Sequence, residues 1–424
     1  MNDSPIIPKF ITYNNYFNIF SNNFTLNSHE NSDQYLIDTI SLKHIKQIGN
    51  YKLESELGSG AFGKVVLAEH IPTNEKVAIK ILDKIILSQT PEDLELVKQE
   101  MTILRIVKHK YIAQLYEILE TPQHYFIIME YCEGGDLLEY ILHKTRLSEQ
   151  ESQKIFRQLI NTLFYLHSQK ISHRDIKIDN MLLDKNKNLK LVDFGLSTKY
   201  SDEIYLNQPC GTVVYAAPEV LEGNSYHGML CDVWSSGIVL YGMLSGFLPF
   251  GDNDEEVNKK NVLKGKIKYP EIIPELAVDL LKKMLCKNQN ERFTLQDIKE
   301  HPWFNMNFSN NSGNFCMIPG IIVGYNKIPV DEKILNMCEN YEGCSKNKIK
   351  KSVVDNKNNE DTALYYLIVK KLAREGKTSV SDLCSQKFIN FINDERNIEE
   401  KMLEIKIKII IIIIIIIIKV WKLI

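Results

Sequence analysis

Apolar and polar positions along the 424-residue chain follow two different rhythms. From Tyr51 to Leu82, three short β-rich runs lie near Tyr51–Gly58, Lys64–His70 and Lys76–Leu82. Glycine and polar breaks separate them, which predicts strands joined by tight turns. A helix start follows. Thr90 stands at the cap position, Pro91 at the first helical position, and Glu92 and Asp93 suit the positive end of the helix. Leu94, Val97, Met101 and Leu104 then recur at helical spacing and predict one buried stripe. Two further strands are predicted at Leu115–Glu120 and His124–Glu130.

Past Gly134-Gly135 the pattern turns helical. Ser148-Glu149-Gln150-Glu151 reads as a capping box, and the helix it opens carries Ile155, Leu159, Leu163 and Leu166 on one face. More helices are predicted near 229–245, 274–285 and 294–301. The fold class is therefore α+β: a small β-rich lobe, then a larger helical lobe, with a cleft between them where ligands commonly bind. Residues 1–47, rich in Asn, Ser, Tyr, Phe and Ile without a clear period, read as a poorly ordered extension. Residues 48–304 form the main domain, 305–329 read as a linker, and 330–374 as a small module of three short amphipathic helices. Residues 375–424 read as a low-complexity tail ending in ten consecutive isoleucines, Ile409 to Ile418.

Composition narrows the function. Apolar residues make up 44% and charged residues 25%, as in ordinary soluble proteins. The formal net charge of −3 argues against a nucleic-acid partner, which calls for a basic excess. Eight scattered cysteines contain no C-x-x-C pair, which argues against a zinc ribbon or disulfide scaffold and for reduced thiols in the cytoplasm or nucleus. No basic segment followed by an apolar stretch opens the chain, so no secretory signal is read. The isoleucine run falls short of the about 20 apolar residues of a membrane helix. A weak tail anchor, a β-aggregating segment and a terminus without function are its three readings. The last is preferred, and no membrane partner is expected.

The chemistry is carried by motifs in a fixed order. Leu57-Gly58-Ser59-Gly60-Ala61-Phe62-Gly63-Lys64-Val65 is a G-x-G-x-x-G-x-V loop, whose glycines let backbone N–H groups approach phosphate oxygens. A dinucleotide-binding loop shares these glycines but runs into a helix. Here Val65, Val66 and Leu67 follow, favouring a hairpin laid over the phosphates. Lys80 of Val77-Ala78-Ile79-Lys80 is a cation inside an apolar strand, and Glu100 sits at the edge of the buried helical stripe. Each half-buried charge needs a partner, and the two answer one another. Lys80 then faces the α and β phosphates. In His173-Arg174-Asp175-Ile176-Lys177-Ile178-Asp179-Asn180, Asp175 is placed to accept or orient the proton of a substrate hydroxyl, and Lys177 to neutralise the moving phosphate. Asn180 and Asp193, the latter in Asp193-Phe194-Gly195, supply oxygen ligands for Mg²⁺.

With these residues in place, the sequence resembles the eukaryotic protein kinase family over about 51–304. The resemblance implies a bilobal kinase fold, ATP and Mg²⁺ as cofactors, and protein substrates with serine or threonine acceptors. It assigns Leu57, Gly58, Gly60, Gly63, Val65, Ala78, Lys80, Glu130, Cys132, Asp136 and Leu182 to the nucleotide. Met129 takes the gatekeeper place, Glu130 and Cys132 the hinge backbone that holds adenine, and Asp136 the acidic place near ribose and substrate arginine. Glu219 of Ala217-Pro218-Glu219 is implied to pair with Arg292, and Asp232-Val233-Trp234 to support the catalytic loop. Lys177 and Gly211-Thr212 are similar to the serine/threonine type. Tyr215 to Val220, Gly246-Phe247-Leu248-Pro249-Phe250 and His301-Pro302-Trp303-Phe304 are most similar to the AMP-activated and microtubule-affinity-regulating kinase branch of the calcium/calmodulin-kinase group. Ile334 to Lys371 resembles the ubiquitin-associated-like domain found behind the catalytic domain there, and is expected to dock within the same chain.

Ile178 and Asp179 depart from the proline and glutamate usual in the catalytic loop, and Asp179 bears on which basic substrate residues are preferred. Gln208 stands where the branch has its activating threonine, while Arg174, the usual partner of that phosphate, remains. Asp202 and Glu203 are the acids expected to answer it. A scaffold without catalysis, and a membrane-tethered adaptor, are the competing classes. The first is opposed by Lys80, Asp175 and Asp193 all being present, and the second rests on the isoleucine run alone.

Overall fold

Period-two burial builds the first lobe. In the computed structural model, which describes residues 46–60, 63–200, 206, 210–252, 254–306 and 317–395, six strands form one antiparallel sheet in the order β1-β2-β3-β4-β7-β6. They are β1 (Gln47–Ile48), β2 (Tyr51–Gly60), β3 (Gly63–His70), β4 (Glu75–Asp83), β6 (Leu115–Glu120) and β7 (His124–Glu130). A short β5 (Val107–Lys108) lies outside this sheet. On β4, Val77, Ile79 and Ile81 are buried while Ala78 and Lys80 alternate onto the half-exposed face. Cross-strand partners share a face, so Val65, opposite Lys80, joins them. Gln47, the last residue of the stretch read as poorly ordered, belongs to β1, while residues 1–45, the isoleucine run, Asp202, Glu203 and Gln208 fall outside the described residues.

Two helices complete this lobe. α1 (Lys84–Ser88) was not read from the sequence, and Asp83 starts it by accepting from the N–H groups of Ile85 and Ile86. α2 (Pro91–Ile106) begins at Thr90 as expected, but the threonine side chain makes no capping bond there. Its buried face carries Val97, Glu100, Met101, Ile103 and Leu104.

The second lobe is helical: α3 (Leu137–Lys144), α4 (Glu149–Ser168), α5 (Pro218–Leu221), α6 (Gly228–Ser245), α7 (Glu255–Lys264), α8 (Glu275–Met284), α9 (Leu295–Glu300) and α10 (Pro302–Asn305). The capping box of α4 forms as read, with Ser148 and Glu151 each bonding the other's backbone. Two short pairs, β8 (Ile171–Ser172) with β11 (Thr198–Lys199) and β9 (Met181–Leu183) with β10 (Leu189–Leu191), carry the loops that face the first lobe.

The C-terminal third departs from a plain linker and tail. Within the stretch read as linker, β12 (Ile321–Ile322) pairs with β5, and the Ile321 carbonyl accepts from the Tyr165 hydroxyl of α4 at 2.7 Å. Helices α11 (Glu332–Cys338), α12 (Lys346–Val354) and α13 (Glu360–Arg374) follow. Their apolar faces share one buried cluster with Val66, Ala68, Val77, Ile79, Phe126 and Ile128 of the sheet. The face of the sheet turned away from the cleft is therefore covered by this chain's own helices, which is what isolated short helices with one apolar stripe require. Residues 375–395, read as low-complexity tail, turn back, and the helix at 386–395 buries Phe388 and Ile392 against Ile321. Apolar side chains at helical spacing within a polar stretch are the physical reason for this difference.

Candidate active site

Lys80 reaches from β4 to the carboxylate of Glu100 on α2, with contacts of 2.7 and 2.9 Å, and lies 3.9 Å from Asp193. Burial works against the Lys80 ammonium, and Glu100 and Asp193 outweigh it, so the amine is held above the ordinary lysine value. Glu100 is itself nearly fully buried, so its carboxylate depends on Lys80 as its ion-pair partner. Gln99, one residue earlier, donates to the Ser197 carbonyl at 2.6 Å and ties α2 to the segment after Asp193.

Opposite, the catalytic loop gathers around Asp175. Lys177 Nζ lies 2.7 Å from Asp175 Oδ2 and 3.2 Å from Thr212 Oγ1. The Asn180 amide donates to the Asp175 carbonyl and to Oδ2, both at 2.9 Å. Val192 N–H bonds the Asn180 carbonyl at 3.0 Å, which brings Asp193 alongside. Arg174 and Asp193 both hold positive φ, 64° and 62°, a costly state for non-glycine residues that gathers at functional sites. Asp232, fully buried in α6, carries the loop: it accepts from His167, Ser172 Oγ and the N–H groups of His173 and Arg174. The Phe194 ring packs on His173 with centroids 5.0 Å apart.

The residues that the resemblance assigns to a nucleotide lie on the elements around these two groups. Gly58, Ser59 and Gly60 pair with Val65, Lys64 and Gly63, closing the expected hairpin. A Cβ on Gly63 would lie 1.8 Å from the Ile81 carbonyl oxygen, so strand packing alone demands glycine there. A Cβ on Gly58 would meet nothing within 4 Å, so that glycine answers to something other than the protein's own packing, as a phosphate cradle requires. Val65, Ala78 and Leu182 stay half-exposed, and Leu57 is 44% exposed. Asp136 bridges to Leu182 and caps α3 through Leu138 N–H at 2.6 Å. Among the described residues no cluster of three His, Cys, Asp or Glu groups forms a protein-only metal cage. Asn180 and Asp193 fit instead a magnesium ion held largely by phosphate and water.

Glu219 and Arg292 meet as a buried bidentate pair at 2.6 and 2.8 Å. One residue was not read beforehand: Lys190 of β10, almost fully buried, pairs with Glu130 at 2.8 Å behind the hinge. Its signal was a lysine between Leu189 and Leu191, the same anomaly that exposed Lys80.

A lysine–glutamate pair on one side and an Asp-Lys-Asn-Asp constellation on the other define a phosphoryl-transfer class. Residues 51–304 match the family described as "Protein kinase domain", and the chain belongs to that family, as its motifs implied. It is 38% identical over 330 residues to the carbon catabolite-derepressing protein kinase of Secale cereale, covering 77% of this chain and 64% of that protein. It is 39% identical to the serine/threonine protein kinase OSK3 of Oryza sativa subsp. indica, covering 77% and 63%. With the maternal embryonic leucine zipper kinase of Xenopus laevis it shares 40% identity, covering 61% and 40%. The chain thus spans less than two thirds of the length of these curated relatives.

Proposed function

We propose that the chain is a protein serine/threonine kinase that transfers the ATP γ-phosphate to serine and threonine hydroxyls of proteins. The observation that carries this reading is the Lys177 bridge between Asp175 and Thr212 beside the Lys80–Glu100 pair. Magnesium-bound ATP supplies the transferable phosphoryl group and neutralises its charge. Asp175, locked by Asn180 and Lys177, presents a carboxylate that orients or accepts the hydroxyl proton. Lys177 holds a cation at that carboxylate, on the side where phosphate charge moves. Lys80, anchored by Glu100, holds the α and β phosphates, and Asn180 and Asp193 hold the metal. The sequence and the contacts support a helical module docked within the chain, and seven free cysteines among the described residues support a reducing compartment such as the cytoplasm. Phosphorylation of a peptide array by the full chain with Mg-ATP tests the assignment. Phosphate on serine and threonine peptides is expected, and no transfer above background would refute it.

Substrate choice and pH are linked. Burial, then the neighbouring Asp179, pushes Asp136 up to about 6. A substrate arginine attracts only the ionised carboxylates, so its contribution is present above that value and lost as pH falls through it. The peptide KM is expected to rise about five- to tenfold between about pH 7.5 and about pH 5.5 for a peptide with an upstream arginine. A peptide without arginine should show a flat profile. Equal profiles for the two peptides would remove Asp136 and Asp179 from substrate recognition.

Activation is expected without phosphate on the segment. Arg174, which would meet such a phosphate, donates through Nε to the Leu196 carbonyl at 2.7 Å and faces the Tyr226 hydroxyl. These partners lie within the protein, and with glutamine at 208 the usual acceptor is missing. Full-length enzyme stripped by a broad phosphatase, and verified bare by mass spectrometry, should keep its initial rate within about twofold. Loss of activity restored by an upstream kinase would mean that another acceptor in the segment does the work.

A further inference from the structure

The hinge is gripped from behind by two lysines. Lys190 pairs with the Glu130 carboxylate at 2.8 Å, and the Gln114 N–H adds a bond to the same group at 3.3 Å. The second lysine comes from 239 residues further along the chain: Lys370 Nζ of α13 donates to the Tyr131 carbonyl at 3.4 Å. Burial acts to raise the Glu130 carboxyl, and Lys190 and Lys370 overcome it, holding the group below its ordinary value. Lys190 makes the direct ion pair with Glu130, while the hydrogen bond from Lys370 goes to the Tyr131 peptide.

That peptide has two ends. The carbonyl of Tyr131 and the N–H of Cys132 belong to one planar unit and point in opposite directions. A cation on the carbonyl orients the plane and polarises it, which strengthens the N–H on the far side as a donor. Among the described residues no protein group accepts from the Cys132 N–H. On the hinge reading, this N–H is the group that meets the adenine ring.

We propose that Lys370 is a positioning residue for the nucleotide, setting the Tyr131–Cys132 peptide from the C-terminal module so that the Cys132 N–H engages adenine. The proposal rests on that hinge reading. It also gives the docked helix a catalytic consequence. Leu364, Leu367 and Ile368 bury α13 in the cluster shared with the sheet, and the same seating presents Lys370 to the hinge. Lys371 and Arg374, on the same helix, touch the Thr73 carbonyl and Glu75 instead, away from the hinge peptide. They therefore separate docking in general from the contact at Tyr131.

The test compares full-length wild type, Lys370→Gln, Lys370→Arg and Lys371→Gln with two nucleotides, ATP and 1-deaza-ATP, in which C–H replaces the N1 acceptor. Lys370→Gln is expected to raise the KM for ATP about three- to tenfold with kcat within about twofold, and Lys370→Arg to recover most of the loss. With 1-deaza-ATP the Lys370→Gln and wild-type KM values should agree, because no bond is left to tune. Lys371→Gln should leave the ATP KM unchanged. An unchanged ATP KM in Lys370→Gln, equal rises for both nucleotides, or the same rise in Lys371→Gln would overturn the proposal alone. Equal KM values for the two nucleotides in wild type would overturn the hinge reading, and the proposal with it.

Discussion

Lys80→Met and Asp193→Asn each lower phosphoryl transfer by at least about a hundredfold, the loss expected when one preorganised charge-stabilising group is removed. The two act from opposite sides of the cleft. Lys80 is held by Glu100, so methionine removes the phosphate contact and leaves Glu100 without its partner. Asp193 has a side chain 46% exposed to the cleft, and burial of its neighbours falls mainly on Phe194 and His173. Asp193→Asn thus keeps shape and packing while removing the negative charge from the metal side. Its melting temperature should stay within about 2 °C of wild type. Turnover within a few-fold of wild type in a preparation free of other kinases would sink both roles. A large drop in melting temperature for Asp193→Asn would show that the loss comes from the fold.

Local chemistry made most of this site legible before any coordinates. The glycine loop, the strand lysine, the catalytic loop and Asp193 each announce themselves within a few residues. The Lys80–Glu100 pair was readable because one is a cation inside an apolar strand and the other sits at the edge of a buried helical stripe. Lys190 offered the same signal, but its partner Glu130 lies at the end of a strand whose last residue need not be buried, so nothing local demanded the pair. Longer-range features left still less trace. The Tyr165–Ile321 bond spans 156 positions, and the Lys370–Tyr131 contact 239. A two-residue strand such as Ile321–Ile322 has no period to detect, and its residues were absorbed into a stretch read as linker. Thr90 shows the opposite error: the right residue at the right place, in extended backbone, whose side chain makes no capping bond.

Arg292→Met is expected to destabilise the catalytic domain by about 3–5 kcal/mol, the usual cost of leaving a buried charge without its partner. The Arg292 side chain is fully buried, and its guanidinium makes two parallel bonds to Glu219. It also donates to the carbonyls of Leu230 and Cys286 and lies over the Trp234 ring at 5.0 Å. Methionine fills much of the volume but strands the Glu219 carboxylate, whose other partner is the weakly donating Cys231 thiol at 3.6 Å. A domain of this size should melt about 10 °C lower. The double variant Glu219→Gln/Arg292→Met removes both charges, so it should recover part of that loss, and this non-additivity is the sign of a coupled pair. The effect should also reach the substrate side, because Glu219 lies in the first turn of α5, two residues after Ala217, on the segment that carries Thr212 to Asp175. Peptide KM should therefore rise in Arg292→Met at temperatures well below melting. A single variant that melts within about 2 °C of wild type, or a double variant that loses the full sum of the two single changes, would show that the pair is not what anchors this segment.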